Sequence, residues 1–303
     1  MASKESQRVD RYWATVRRST MNPQPDDLVT NAQWDLLTGE PRGVDYLEVD
    51  AGGVPALWAV PHGAGDDSPV LLCFHGGGYV GGSMFTHRKM FAHLAKAIGG
   101  RALLIDYKLV FEGGVFPQPV IEGVTAYRWL LDQGVPARRI MFTGDSAGGQ
   151  MAVTVQLRAR AESLPLPAGA MLISPWTDLE VTGDSMGFNA DNDELFTKEW
   201  ITEMAGAFLN GCDPRDPAAS PLHADLTGFG PVYIQVGDQE LLLDDSRLFA
   251  KYAEQAGLDV RLDEFPGQQH TFQMAAGLAP EADDAISRLA AWARPKLGLE
   301  SQG

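Results

Sequence analysis

The hexapeptide Gly144-Asp145-Ser146-Ala147-Gly148-Gly149 follows directly on Arg139-Ile140-Met141-Phe142-Thr143, so an apolar strand must turn at once into a helix. No other segment restricts the fold as much. A serine hydroxyl becomes a nucleophile only where its oxygen stands clear of the backbone, near a base and near donors for a developing oxyanion. A strained strand-to-helix turn meets this requirement and crowds the residues two before and two after the serine. Gly144 and Gly148 fill those places. Beyond them, Ala147, Met151, Val153, Val155 and Leu157 have the apolar spacing of a helix packed under a sheet, its positive end aimed at Ser146. The segment reads as a nucleophile elbow and the chain as a serine hydrolase. A lone G-x-S-x-G also occurs in ordinary glycine-rich turns, so the reading depends on partners.

Upstream, Pro69-Val70-Leu71-Leu72-Cys73-Phe74 has the continuous apolar run of a buried strand and opens into His75-Gly76-Gly77-Gly78-Tyr79. Successive glycines let backbone N–H groups converge on one point, as a carbonyl oxygen turning into an oxyanion requires. A phosphate loop is the competing reading, but no G-x-x-x-x-G-K-[ST] lysine follows.

An elbow of this kind places its base late in the chain, in the order nucleophile, acid, histidine. Of the six histidines, only His223 and His270 follow Ser146. His223 lies in a polar stretch that reads as surface. His270 lies in a loop after the strand at 260–265, where α/β scaffolds carry functional groups, and is the expected base. For the acid, the strand at 232–236 ends in Asp238-Gln239-Glu240, with Asp244 and Asp245 just beyond. The last two suit the start of a helix. Asp238 and Glu240 both sit in the loop, and chemistry alone does not choose between them.

His75-Gly76-Gly77-Gly78 together with Gly144-Asp145-Ser146-Ala147-Gly148-Gly149 resembles the bacterial hormone-sensitive-lipase-like carboxylesterases, a branch of the α/β hydrolases, over nearly the whole chain. That family carries its acid about thirty residues before the histidine in a D-P-L-x-D or x-x-E-x-L-L-D-D segment, a register that falls on Glu240 and leaves Asp238 second. The resemblance implies a Ser146, Glu240, His270 triad and oxyanion donors at Gly77, Gly78 and Ala147. It also implies that His75 and Gly76 support the loop, that no cofactor is used, and that substrates are small to medium acyl esters. A homodimer formed through an edge strand is a further implication. One segment departs from the family's Y-R-L-A-P-E, reading Tyr107-Lys108-Leu109-Val110-Phe111-Glu112, which questions the geometry of that loop.

Strands expected at 44–49, 54–60, 70–74, 102–107, 140–143, 171–174, 232–236 and 260–265 alternate, after the first two, with helices. The pattern predicts a mostly parallel sheet of about eight strands flanked by helices. Helices expected at 5–19 and 26–37, with an insertion at 181–216 holding a helix at 195–209, resemble the family's helical cap. The division is N-terminal cap helices 1–42, core 43–180, cap insertion 181–216 and core 217–303. Tyr79, Met84 and Phe85, beside the glycine loop, are the expected pocket residues. Trp13, Trp34, Met186, Phe188, Phe196, Trp200 and Phe208 are candidates from the cap, although aromatics at helical spacing more often pack the cap itself.

The formal charge of −16 disfavours nucleic acid and anionic membranes as partners. The polar first ten residues and the lack of long apolar runs suggest a cytoplasmic protein without membrane insertion. Cys73 reads as core and Cys212 as loop; neither spacing suggests a metal. The expected chemistry is acyl transfer to Ser146 followed by hydrolysis. Lactones, carbamates or amides could use the same machinery, and a noncatalytic small-molecule receptor is the reading from another class.

Overall fold

A computed structural model describes residues 2–21 and 34–300. Eight strands form one sheet in the order β1-β2-β4-β3-β5-β6-β7-β8. These are β1 Val44–Asp50, β2 Pro55–Pro61, β3 Val70–Phe74, β4 Arg101–Ile105, β5 Ile140–Asp145, β6 Ala170–Ile173, β7 Val232–Gly237 and β8 Val260–Phe265. β2 pairs antiparallel with β1 and β4, and every other pairing is parallel. Central strands β3 and β5 are buried along their whole length, which is why they read as unbroken apolar runs, whereas edge strand β8 keeps Arg261 and Glu264 exposed.

The described helices are α1 Gln7–Met21, α2 Met84–Ile98, α3 Gln118–Asp132, α4 Ala147–Ala161, the short α5 Ser185–Phe188, α6 Lys198–Leu209, α7 Leu243–Gln255 and α8 Pro280–Lys296. α6 begins three residues later than its apolar pattern suggests, because the Thr197 side chain caps it by accepting the Trp200 N–H at 3.2 Å. Most of the helix expected at 26–37 lies outside the described residues; Trp34 and Asp35 are helical. Among the described residues, no helix is long and apolar enough to cross a membrane.

Strand order reverses at β3. The chain leaves β3 toward β4 on one side and leaves β5 toward β6 on the other, which opens a crevice beyond the carboxyl ends of these neighbouring strands. Phe74, the last residue of β3, lies in register with Gly144. The glycine loop and the elbow are therefore adjacent by topology, before any side chain is considered.

Gly123 on α3 keeps the elbow helix close. A Cβ there would meet Val155 Cγ2 of α4 at 2.5 Å and Phe74 Cε1 at 3.2 Å. Alanine normally favours a helix over glycine by about 1 kcal/mol, but Val155 is β-branched and stiff. Gly123→Ala is therefore expected to lower stability by about 1–3 kcal/mol in urea unfolding. A stabilised variant would contradict this packing.

Candidate active site

Ser146 adopts φ 55°, ψ −122°, a strained conformation for a residue with a side chain. Its N–H donates to Ile173 O at 2.9 Å, and its carbonyl accepts from Trp176 N–H at 3.1 Å. The turn demands glycine on both flanks. A Cβ on Gly144 would strike Gly148 O, and one on Gly148 would strike Phe74 O.

Three contacts hold the loop after β3, and a fourth, from His87, braces the Asp145 carboxylate that one of them uses. Gly76 N–H donates to Asp145 Oδ1 at 3.0 Å, and His87 Nε2 lies 3.3 Å from Asp145 Oδ2. Tyr107 OH donates to His75 O at 2.7 Å, its ring stacked on the His75 ring at 4.1 Å. Gly77 and Gly78 take φ values of 119° and 59°, and their N–H groups donate to no acceptor among the described residues. The same holds for Ala147 at the start of α4, where unpaired N–H groups and the helix dipole favour negative charge. His75 Nδ1 sits 2.8 Å from Gly76 O and so carries the ring proton. Burial, then the neighbouring His87, pushes its pKa down to about 3, leaving a neutral ring.

His270 is buried in the loop between β8 and α8. Its Nδ1 lies 2.7 Å from Glu240 Oε2, while Glu240 Oε1 accepts from Ser174 Oγ and Gly237 N–H, each at 2.7 Å. With Nδ1 committed to Glu240, Nε2 is the remaining ring nitrogen. Burial pulls the imidazole pKa down, but the charge and hydrogen bond of Glu240, with Asp193 and Asp145 further off, outweigh it and hold the pKa above its ordinary value. Asp238, the second candidate acid, points elsewhere: its Oδ1 accepts from Gly267 N–H at 2.7 Å and Gln239 Nε2 at 2.6 Å. Asp245 accepts from the Thr177 and Asp178 N–H groups, and Asp244 from that of Ser185.

Ser146, His270, Gly77 and Asp145 line one cavity of about 450 Å³. Its other walls are mostly apolar. Of the seven cap candidates, Trp13, Trp34, Phe196 and Trp200 line it, while Phe188 is exposed and Phe208 is buried against Tyr79. The three residues expected from the glycine loop do not line it. Tyr79, at φ 63°, turns inward to stack on Phe208 at 3.7 Å and to donate its OH to Ala147 O at 3.3 Å. Met84 is buried at the start of α2, and Phe85 is exposed on that helix. Sequence reading also missed Tyr12, Val16 and Met204 as walls, and Ser174 and Asp145 as supports.

The match to known proteins is extensive. Residues 71–274 fit the model of a family described as alpha/beta hydrolase fold. An acetyl-hydrolase of Streptomyces hygroscopicus is 39% identical over 82% of this chain and 83% of its own. An esterase of Acinetobacter venetianus is 36% identical over 74% of each. A crystal structure of an esterase from the bacterial hormone-sensitive lipase family superposes with TM-score 0.89 at 39% identity, covering 98% of this chain and 100% of that one. This chain belongs to the bacterial hormone-sensitive-lipase-like esterase family. EstE5, in a structure soaked with p-nitrophenyl butyrate, is also similar, with TM-score 0.87 and 33% identity over 98% and 100% of the two chains.

Against the family pattern, the altered segment of this esterase is still anchored: Lys108 N–H donates to Glu122 Oε2 at 2.8 Å, and Val110 N–H to Tyr79 O at 2.9 Å. One group of possible metal ligands occurs among the described residues, Asp178, Glu180 and His223. Its atoms already have partners. Asp178 accepts from the Glu180 and Thr182 N–H groups, and Glu180 lies 3.1 Å from His223 Nε2 and 3.5 Å from Arg215. His223 is exposed, and the group lies outside the Ser146 cavity.

Glu240→Gln keeps an oxygen for Ser174 but removes the charge beside His270. The imidazole pKa, followed by NMR titration, is expected to fall relative to wild type. An unchanged value would contradict the pairing.

Proposed function

We propose that this esterase is a serine carboxylesterase acting on small to medium acyl esters through an acyl-enzyme intermediate. The observation that carries the reading is that Ser146, His270 and Gly77 line one mostly apolar cavity, with Glu240 bound to the far side of the imidazole. In this reading His270 Nε2 takes the proton of Ser146 Oγ as that oxygen attacks the ester carbonyl. The resulting oxyanion is held by the N–H groups of Gly77, Gly78 and Ala147. His270 then protonates the leaving alcohol, and water repeats the sequence on the acyl-enzyme. Glu240 fixes the tautomer and stabilises the imidazolium. α1 and the long β6–β7 insertion serve as the cap, and their aromatic walls suit an acyl or alcohol group in a cavity of ordinary ligand size. That a relative was soaked with p-nitrophenyl butyrate makes this ester a natural probe.

Wild type is expected to hydrolyse p-nitrophenyl acetate and butyrate and to lose activity toward the palmitate. Ser146→Ala should abolish turnover. Glu240→Gln should lower kcat by on the order of 10⁴-fold, and Asp238→Asn should stay close to wild type. Collapse in Asp238→Asn with Glu240→Gln unaffected would reassign the acid.

His270 must be neutral to act as base, so activity is present above its pKa and lost as pH falls through it. Because that pKa is raised, the acid limb of kcat/KM is expected to have its midpoint above the unperturbed value of about 6.5. A profile flat to pH 4 would exclude His270 as base.

A further inference from the structure

The β6–β7 insertion is fastened to both loops that carry the proposed acid and base. Asn189 Nδ2 donates to the carbonyls of Asp238 and Glu240, each at 2.9 Å. Gln269, beside His270, donates its Nε2 to Asn192 O at 2.7 Å and accepts the Glu194 N–H at 2.9 Å. Between these ties stands Asp193, 1% exposed. Its Oδ1 accepts the Leu195 and Phe196 N–H groups, both at 2.8 Å, and its Oδ2 accepts the Leu241 N–H at 2.7 Å. Its carbonyl accepts from Arg17 Nη1 of α1 at 2.8 Å. The Phe196 ring it sets in place meets the His270 ring edge-on at 5.0 Å.

We propose that Asp193 is a positioning residue for the Ser146, His270 and Glu240 centre, locking the insertion to the acid loop so that the insertion works as a clasp and not as a freely opening lid. The proposal rests on the ester-hydrolase reading above. Leu241 follows Glu240 in the chain, so a shift of its N–H moves the carboxylate that orients His270. A misplacement of about 1 Å can cost on the order of 10²-fold in rate. Asparagine cannot replace this carboxylate. Asp193 accepts on both oxygens, whereas an amide offers one acceptor and one NH₂, and either orientation sets donor against donor. Charge adds a second effect. The charged groups facing His270 are Glu240, Asp193 and Asp145, and those facing Asp193 are His270 and the Arg17 guanidinium on its carbonyl, so removing the Asp193 charge withdraws support from the imidazolium.

The test assays wild type, Asp193→Asn and Asn189→Ala on p-nitrophenyl butyrate across pH, with folding checked by near-UV circular dichroism. Asp193→Asn is expected to lower kcat about 10²-fold with little change in KM, and to move the acid limb to lower pH. Asn189→Ala keeps every charge and should lower kcat without moving the limb. Folded Asp193→Asn with wild-type kcat and limb overturns the proposal. So does a rise in KM alone, which would make Asp193 a pocket wall. If Asp193→Asn does not fold, Asn189→Ala decides, and an unchanged kcat overturns the clasp. Inactive wild type would instead remove the ester-hydrolase reading itself, a failure told apart because no variant is then needed to see it.

Discussion

A serine held at φ 55° costs on the order of 1–3 kcal/mol, and the surrounding structure exists in the form it does partly to hold it there. The restraint is covalent and steric. β5 enters the turn fully buried, α4 leaves it, and the glycines at 144 and 148 allow the two backbones to approach within a distance no side chain permits. From that point the rest follows. The Ile173 carbonyl of β6 fixes the Ser146 N–H, and β3 places the glycine loop alongside because Phe74 pairs with Gly144. Asp145 then ties that loop to the elbow through the Gly76 N–H.

Electrostatics divides His75 from His270, two of the three buried histidines near this turn. His75 has no carboxylate in hydrogen-bond contact, and burial keeps it neutral as a stacking plate for Tyr107. His270 is as deeply buried, yet Glu240 at 2.7 Å raises its pKa. Similar burial with different partners yields opposite shifts, which accord with the proposed roles of one ring in support and the other in proton transfer. Desolvating the Glu240 carboxylate is costly unless its oxygens are satisfied. Ser174 and Gly237 satisfy the oxygen that bonds most closely to the sheet, leaving the other for the imidazole.

Much of this was legible in the sequence because it depends on local chemistry. The elbow glycines, the glycine run after β3 and the alternation of apolar strands with helices each follow from short-range rules. So does the inward face of α4. What sequence reading missed depends on direction. Asp238 and Glu240 differ by two loop residues: loop chemistry left both open, the family register favoured Glu240, and the direction of each side chain, Asp238 to the Gly267 N–H and Glu240 to the imidazole, is seen in the fold. Tyr79 follows the glycines, but its positive φ sends the ring inward to Phe208 and away from the cavity. Ser174, Asp145 and Asp193 act across long sequence separations, and nothing local distinguishes them from other polar residues at strand or helix ends.

In the proposed mechanism Ser146 is the single nucleophile, lining a cavity with mostly apolar walls. Treatment with one equivalent of a phosphonate ester that carries a p-nitrophenolate leaving group, followed by peptide mass spectrometry, tests it most directly. One phosphonyl group per chain is expected, located on Ser146, with nitrophenolate released in equal amount and ester hydrolysis lost in parallel. Label on another residue with hydrolysis lost, or full hydrolysis by protein labelled at Ser146, would contradict it.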